Sequence, residues 1–197
     1  MTKLTASDLL SLEQYARERP RLRLQMIEHR RRRQLRIGEH CSWSFEDRQT
    51  VRYQVQEMLR AERIFEPAGI AEELAAYNPL IPDGLNLKAT LLIEYEDPAE
   101  RAQRLSELRG FERRCWLSVT GFEPVYAIAD EDLSRENDVK TSAVHFLRWE
   151  FSAPMVARLK LGAALAAGVD HPSYHHSVDP VPASLRAALL ADFDQPS

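Results

Sequence analysis

Residues 45–65 form the stretch with the clearest period, and they carry charges where a plain amphipathic helix would have none. At about 100° per residue, one predicted face gathers Val51, Val55 and Leu59. Glu62 falls near the middle of this apolar face and Arg48 near its edge. Unpaired burial of charge would cost several kcal/mol, so these two side chains are expected either to form a buried ion-pair network or to line a site.

Further polar side chains would join this helix if the next predicted helix folds back along it. Arginines arranged as clamps bind anions, so the functional interpretation is a pocket for a small anionic molecule. The predicted ligand-binding residues are Arg48, Arg52, Arg63, Asn78 and Asp83. Glu62 is the candidate general base beside these clamps. The structural interpretation, an ion-pair network that fixes the register of the helix, stays open at this point.

The histidines offer a second kind of chemistry. His171, His175 and His176 lie in the segment HPSYHH, where a spacing of four residues would bind a metal on a helix. Pro172 and the preceding Gly168 predict a loop instead, and no cysteine or glutamate completes a known ligand set. The sequence therefore predicts no metal site, and these histidines are the weak candidates for one.

His145 is the other candidate base, although its predicted strand face is otherwise apolar, which favours a histidine packed in the core. Asp83, followed by Glu94 and Glu96, is similar to the acid placement of metal-dependent nucleases. Those sites need a lysine where Glu96 stands, so Asp83 is better explained as a turn residue. No phosphate-binding glycine loop and no GxSxG motif occur. No cofactor is predicted.

Charge is divided unevenly along the chain. Residues 1–36 contain ten lysines and arginines against four acids, whereas the remaining residues contain 16 basic and 26 acidic ones. We expect one domain, residues 1–197, in which the basic helical head 1–36 packs on the α+β body 37–197, or on a second copy in a homodimer. Phosphate binding by a run of four arginines is the less favoured alternative; they are Arg30, Arg31, Arg32 and Arg33.

Neither a membrane span nor a signal peptide is evident. No run approaches the roughly 18 apolar residues of a membrane helix, and the start MTKLTASDLL lacks the pattern of a signal peptide. The expectation is a cytoplasmic protein without membrane contact. Cys41 and Cys115 lie far apart, and in a reducing compartment they are expected to be free thiols.

The elements that must position these residues are helices at both chain ends and strands mostly in the middle. A first helix is predicted over residues 5–18 and a second from Pro20, followed by a β-hairpin at 34–37 and 41–45. After the main helix, the patterns predict helices at 66–77, 98–108, 154–167 and 183–193, strands at 87–95, 115–119, 125–129 and 142–151, loops at 78–86 and 168–176, and a loop or short helix at 130–140. Hairpins without regular βα alternation indicate an α+β fold with a central, mostly antiparallel sheet and a long central amphipathic helix.

Five segments together resemble one known family. They read FEDRQTVRYQVQEMLRAERIF, AYNPLIPDG, YAIADEDLSREN, SAVHFLRWEF and GVDHPSY, and the likeness covers nearly the whole chain from KLTASDLLSLEQYARERP onward. The chain is similar to bacterial proteins catalogued as domain of unknown function 3501, for which no activity or catalytic residue is established. Genes of that family often lie near those of rubrerythrin-like and iron-sulfur proteins, so the resemblance implies a part in redox or peroxide defence. The chain lacks the paired ExxH helices of a di-iron site and the cysteines of a cluster.

The sequence as a whole favours a non-catalytic or weakly catalytic accessory protein. It would bind a partner, such as a redox protein, or a small ligand through the region around the main helix. The first alternative is an enzyme acting on a small anionic substrate, with Glu62 or His145 as base. The second is nucleic-acid binding through residues 30–33.

Overall fold

A computed structural model describes residues 3–129 and 141–194. Within these ranges two antiparallel sheets and six α-helices build the α+β fold that the sequence predicts, although the single central sheet is divided in two. The larger sheet has the order β1-β2-β3-β7-β6, with β1 (Gln34–Ile37), β2 (Cys41–Phe45), β3 (Asn86–Ile93), β6 (Ile128–Ala129) and β7 (Val144–Glu150). The smaller sheet has the order β5-β4-β8-β9, with β4 (Cys115–Val119), β5 (Val125–Tyr126), β8 (Leu165–His171) and β9 (Tyr174–Val178).

Side-chain caps define where several helices begin. Ser11, Asp47 and Asp97 precede three of them, and their side-chain oxygens accept hydrogen bonds from backbone N–H groups of the first turn. The helices are α1 (Leu12–Arg31), α2 (Arg48–Glu62), α3 (Pro67–Tyr77), α4 (Pro98–Glu107), α5 (Ala153–Lys160) and α6 (Ala183–Leu190). The predicted main helix is therefore α2, and the predicted hairpin is β1 with β2.

The predicted break at Pro20 is wrong, because α1 runs through this residue without interruption. Only a short 3-10 turn, Ala6–Asp8, precedes it. Pro20 lies on the exposed side, whereas Tyr15 and Met26, on either side of it in the sequence, are buried. Both halves of the helix are therefore held by packing, and this offsets the backbone hydrogen bond that a proline removes.

The predicted helix 154–167 is also wrong in its second half. α5 ends at Lys160, and the Ala-rich residues after it form β8, which pairs with β4 and β9. The predicted loop 168–176 is consequently a β-hairpin. Small residues suit this strand because Trp116 packs over Gly168, where an added Cβ would lie 2.4 Å from the indole. The segment predicted at 130–140 lies outside the described residues.

The larger sheet packs its two faces against different partners. One face meets the smaller sheet and α4–α6 in an apolar core, where the rings of Trp43 and Trp149 lie 4.9 Å apart. Cys41 and Cys115 are buried free thiols of this core, and burial raises the pKa of Cys41 to about 12 and that of Cys115 well above its usual value. A second apolar cluster joins α2, α3 and the N-terminal segment. No helix of the described residues is both long and apolar enough to cross a membrane.

Candidate functional site

The charges expected on the inner side of α2 lie on its surface and at its ends. Glu62 is the last residue of the helix, and Arg63 follows in a left-handed conformation with φ of 57°; both side chains are exposed. Arg48, at the first position, forms an ion pair with Asp8 at 2.6 Å. Arg52 lies one turn later and lines a groove of about 210 Å³ between α1 and α2. Arg48 and Arg52 are therefore neighbours, whereas Glu62 and Arg63 lie at the opposite end of the helix.

The predicted ligand residue Asn78 is occupied by the backbone of the N-terminal segment. The N–H of Leu4 donates to Asn78 Oδ1 at 2.7 Å, and Asn78 Nδ2 donates to the carbonyl of Leu4 at 3.0 Å. Buried Gln56 makes the same pair of bonds with Leu10, at 2.8 and 3.2 Å. We call these two pairs the amide clamps. Asp83 accepts a 2.8 Å hydrogen bond from the first residue of β3, as expected of a turn residue.

His145 is a core histidine. It is 1% exposed, and its Nε2 lies 2.9 Å from Thr141 Oγ1, 3.0 Å from the carbonyl of Ser142 and 3.9 Å from Glu112 Oε2. Thr141 also donates to Glu112 at 3.3 Å. These contacts use the imidazole inside the protein and leave it remote from any ligand that stays in solvent.

The histidine segment forms a hairpin with no clustered ligands. His171 is 7% exposed; its Nε2 lies 3.0 Å from the carbonyl of Arg109, while its Nδ1 accepts from the N–H of Ser173. His175 and His176 are exposed neighbours on β9, and adjacent residues of a strand point to opposite faces. Among the described residues, no three histidine, cysteine, aspartate or glutamate side chains are gathered as a metal site.

The run of arginines at the end of α1 contains one buried member, Arg33. It donates to Asp192 at 2.5 Å, lies 3.4 Å from Asp47 and also donates to three backbone carbonyls, including that of Glu46. His29 Nε2 lies 2.7 Å from Asp47. Burial opposes ionisation of Asp47, yet the hydrogen bond from His29 and the charge of Arg33 hold its pKa below the usual value. Burial raises the pKa of Asp192 to about 6 despite Arg33.

The other three arginines of the run lie at the surface. Arg31 and Arg32 both pair with Glu28, and the guanidinium of Arg30 lies 5.9 Å from the centre of the Tyr53 ring. The four side chains therefore do not form one continuous row for a phosphate backbone.

A second ionic contact holds α1 against α2. Arg19 donates to both oxygens of Glu57 at 2.8 Å, and the hydroxyl of buried Tyr15 donates to the same carboxylate at 2.7 Å. The hydrogen bonds from Arg19 lower the pKa of Glu57 to about 2. Burial, followed by the hydrogen bond to Glu57, raises the pKa of Tyr15 far above its usual value.

A cleft of about 290 Å³ lies between α2 and the face of the larger sheet that points away from the inter-sheet core. Its apolar lining comes from both layers: Val51, Tyr77, Leu80, Leu92, Val144 and Phe146. Its polar lining is smaller: Arg30, Ser44, Glu46, Gln54 and Thr90. A concave, mostly apolar surface with a few convergent polar groups is the usual form of a small-molecule site, and this volume is at the lower end of that class. We call it the α2 cleft.

Glu46 is the fixed charge of the α2 cleft. Its Oε1 accepts from Thr90 at 2.7 Å and its Oε2 from Thr50 at 2.5 Å. Its own N–H donates to the carbonyl of Lys88 at 2.8 Å, and its carbonyl accepts from Arg33 at 3.1 Å. A carboxylate has about four acceptor positions, so Glu46 keeps capacity for a donor on a ligand.

Sequence reasoning missed Glu46 and Thr90. One local signal exists, because Glu46 and Thr50 are four residues apart across the start of a predicted helix. The second partner, Thr90, comes from a strand 44 positions away. The alternation of that strand shows only that Thr90 faces away from the core.

The fold and the cleft define an α+β protein with a small half-buried cavity, a class that carries no particular chemistry by itself. A family model described as "Protein of unknown function (DUF3501)" matches residues 3–193, so the chain belongs to that family, as the sequence segments indicate. A crystal structure of a novel protein of unknown function from Burkholderia pseudomallei K96243 is similar, with a TM-score of 0.93 and 49% identity over 98% of this chain and 100% of that chain. A search of curated proteins gives no match.

Proposed function

We propose that this chain is a binding protein that holds a small amphipathic molecule in the α2 cleft, with an amine or another hydrogen-bond donor of that molecule on Glu46. The observation that carries the proposal is the carboxylate of Glu46, held by Thr50 and Thr90 beside an apolar wall. A side chain held on both sides loses little conformational freedom when it receives a ligand.

The lining also indicates the shape of the ligand. Leu92, Val144 and Phe146 form an apolar strip on the sheet, which suits a flat or aliphatic body. The carboxylate lies at one side of this strip, and the exposed guanidinium of Arg30 lies at the rim. A ligand with a donor at one end and an apolar body is complementary to this arrangement, whereas a purely anionic ligand would be repelled by Glu46.

The accessory role beside a redox protein, which the family resemblance implies, is part of this proposal. The homodimer and the cytoplasmic location are also parts of it. The enzyme and nucleic-acid alternatives gain no support from the exposed end position of Glu62, the buried His145 or the dispersed arginines of residues 30–33.

Calorimetric titration with two matched probes tests the proposal. Phenethylamine is expected to bind with a Kd on the order of millimolar, as fits a ligand of this size, and 3-phenylpropionate at least tenfold more weakly. Glu46→Gln should remove the preference for the amine, and Val144→Trp, which fills the cleft, should abolish binding of both probes.

The control is Leu24→Trp, because Leu24 is 70% exposed on α1 outside the cleft. It should bind phenethylamine like the unaltered chain. Equal binding of the two probes, or unchanged binding by a folded Val144→Trp variant, would overturn the proposal.

A further inference from the structure

Three arginines project from one tight turn beside the smaller sheet. Arg109, Arg113 and Arg114 line a concave surface of about 540 Å³ together with Tyr126, His171 and Pro172. None of these residues belongs to the α2 cleft. We call this surface the arginine hollow.

The turn that carries these arginines is anchored by contacts with buried residues of the smaller sheet. Gly110 has a φ of 76°, a backbone conformation that a side chain would strain. The carbonyl of Arg109 is fixed by the buried ring of His171. Phe111, fully buried next in the chain, packs its ring 5.4 Å from that of Tyr174. The backbone that carries the three arginines is therefore held in place, although their side chains are exposed.

Tyr126 is held in the same way at the side of the hollow. Its hydroxyl donates to Asp170 Oδ2 at 2.6 Å, while 45% of the residue stays exposed. The hydrogen bond to Asp170 raises the pKa of Tyr126, so its ring is neutral at physiological pH. An aromatic ring fixed at its hydroxyl end and open along its side offers a flat apolar surface.

The charges in the hollow are only partly balanced. Arg113 lies 3.6 Å from buried Glu112, but neither Arg109 nor Arg114 has an acidic partner within residues 3–129 and 141–194. Asp170, the other acid nearby, is engaged by Tyr126. By contrast, the exposed Arg104 of α4 is paired with Glu100 and Glu107. Two guanidinium groups beside a concave surface are available for an external anion.

We infer that the arginine hollow binds the phosphoryl group of a small molecule through Arg109 and Arg114. The planar guanidinium group matches the oxygens of a phosphate with two parallel hydrogen bonds, which an ammonium group does not provide. The hollow is larger than a phosphate ion, so its ligand has a body that extends toward Tyr126. A nucleotide and an inorganic polyphosphate share this chemistry, and Tyr126 distinguishes them.

Titration with pyrophosphate and with ADP at low ionic strength tests this inference. Both ligands are expected to bind, and Arg109→Gln/Arg114→Gln should weaken both at least tenfold while leaving the α2 cleft unchanged. Added salt should weaken binding because the contact is ionic and exposed. If ADP binds more tightly and Tyr126→Ala removes that difference, the ligand is a nucleotide; if the two bind equally, it is a phosphoryl compound without a ring.

The matched control is Arg158→Gln, because Arg158 is an exposed arginine on α5, away from the hollow. It should leave both affinities within twofold of the unaltered chain. An equal loss in this control would show a general charge effect, and full binding by the folded double variant would show that the arginines do not hold the ligand. Either result would overturn the inference. Glu46→Gln should not affect it.

Discussion

The two faces of the larger sheet are covered by different kinds of interaction. Toward the smaller sheet the cover is apolar and closed, with Trp43, Phe45 and Trp149 each no more than 1% exposed. Toward α1–α3 the cover combines a smaller apolar cluster with polar contacts: the two amide clamps, Arg48 with Asp8, and Arg19 with Glu57. The first face is sealed, whereas the second leaves room for the α2 cleft.

The difference shows how one sheet can serve stability and binding together. Apolar burial has little directional preference, so the inter-sheet face can close completely. Hydrogen bonds and ion pairs demand particular distances, so helical segments that are joined to one another by such contacts do not close over the sheet completely. A partly covered face next to a rigid one is a suitable place for a ligand, because the floor does not move when the ligand binds.

The largest effect is expected from truncation on the sealed face. Trp149 and Phe146 lie on opposite faces of β7, the first buried and the second half-buried. Trp149→Ala should lower the free energy of unfolding by ~3–5 kcal/mol, because it leaves a large cavity. Phe146→Ala should cost about 1 kcal/mol, because its site already borders a cleft. Urea denaturation measures both, and similar losses would mean that the two faces are equally sealed.

A smaller effect is expected at buried Arg33, which joins the end of α1 to Asp47 and Asp192. Arg33→Met leaves Asp192 and Asp47 without their guanidinium partner, and breaking a buried pair in this way is expected to cost ~3 kcal/mol. The neighbouring Arg32→Met is the control, since that side chain is 67% exposed and should change stability by no more than ~0.5 kcal/mol. Equal unfolding midpoints for the two variants would contradict a structural role for Arg33.

The smallest effect is a dependence on pH that only the helical face should show. The pKa of Glu57 is about 2 in the folded chain and 4.5 as its ordinary value, so the unfolded chain binds more protons between these pH values. The contribution of Glu57 is therefore complete above about pH 4.5 and is lost as pH falls toward 2. Glu57→Gln should cost up to ~1 kcal/mol at pH 7 and progressively less toward pH 3.

Urea midpoints at pH 7, 5 and 3 measure this change, with Glu28→Gln as a control on an exposed pair. A loss from Glu57→Gln that stays constant across these pH values would show that the ion pair with Arg19 contributes nothing. Trp149→Ala should show no comparable pH dependence, because its cost is a cavity and not a charge.

The parts of the fold that were predicted correctly have strong local patterns. α2 and α3 show a helical period, and the β1–β2 hairpin shows alternation around Gly38. β8 was missed because alanine is the best helix former, whereas this strand is decided by its pairing with β4 and β9 and by Trp116 over Gly168. Pro20 misled in the same way, since packing on both sides of it outweighs its local preference.

The candidate site was less accessible to sequence reasoning. The helical wheel placed Glu62 on the inner side, but α2 ends at that residue and Arg63 turns into the left-handed region. Glu46 belongs to the stretch 45–65 but precedes α2, so the helical period did not indicate its role. Its role depends on Thr90, and only the register between β2 and β3 brings that hydroxyl to the same place.

The two thiols of the inter-sheet core have a practical consequence. Cys41 and Cys115 are buried and remain protonated at neutral pH, so a thiol reagent in solution can reach neither while the sheets stay together. Labelling of these two thiols therefore reports opening of the inter-sheet core. The rate at which an aromatic disulfide labels these cysteines would count how often the sheets separate, while partial detachment of the helices on the other face would go unrecorded.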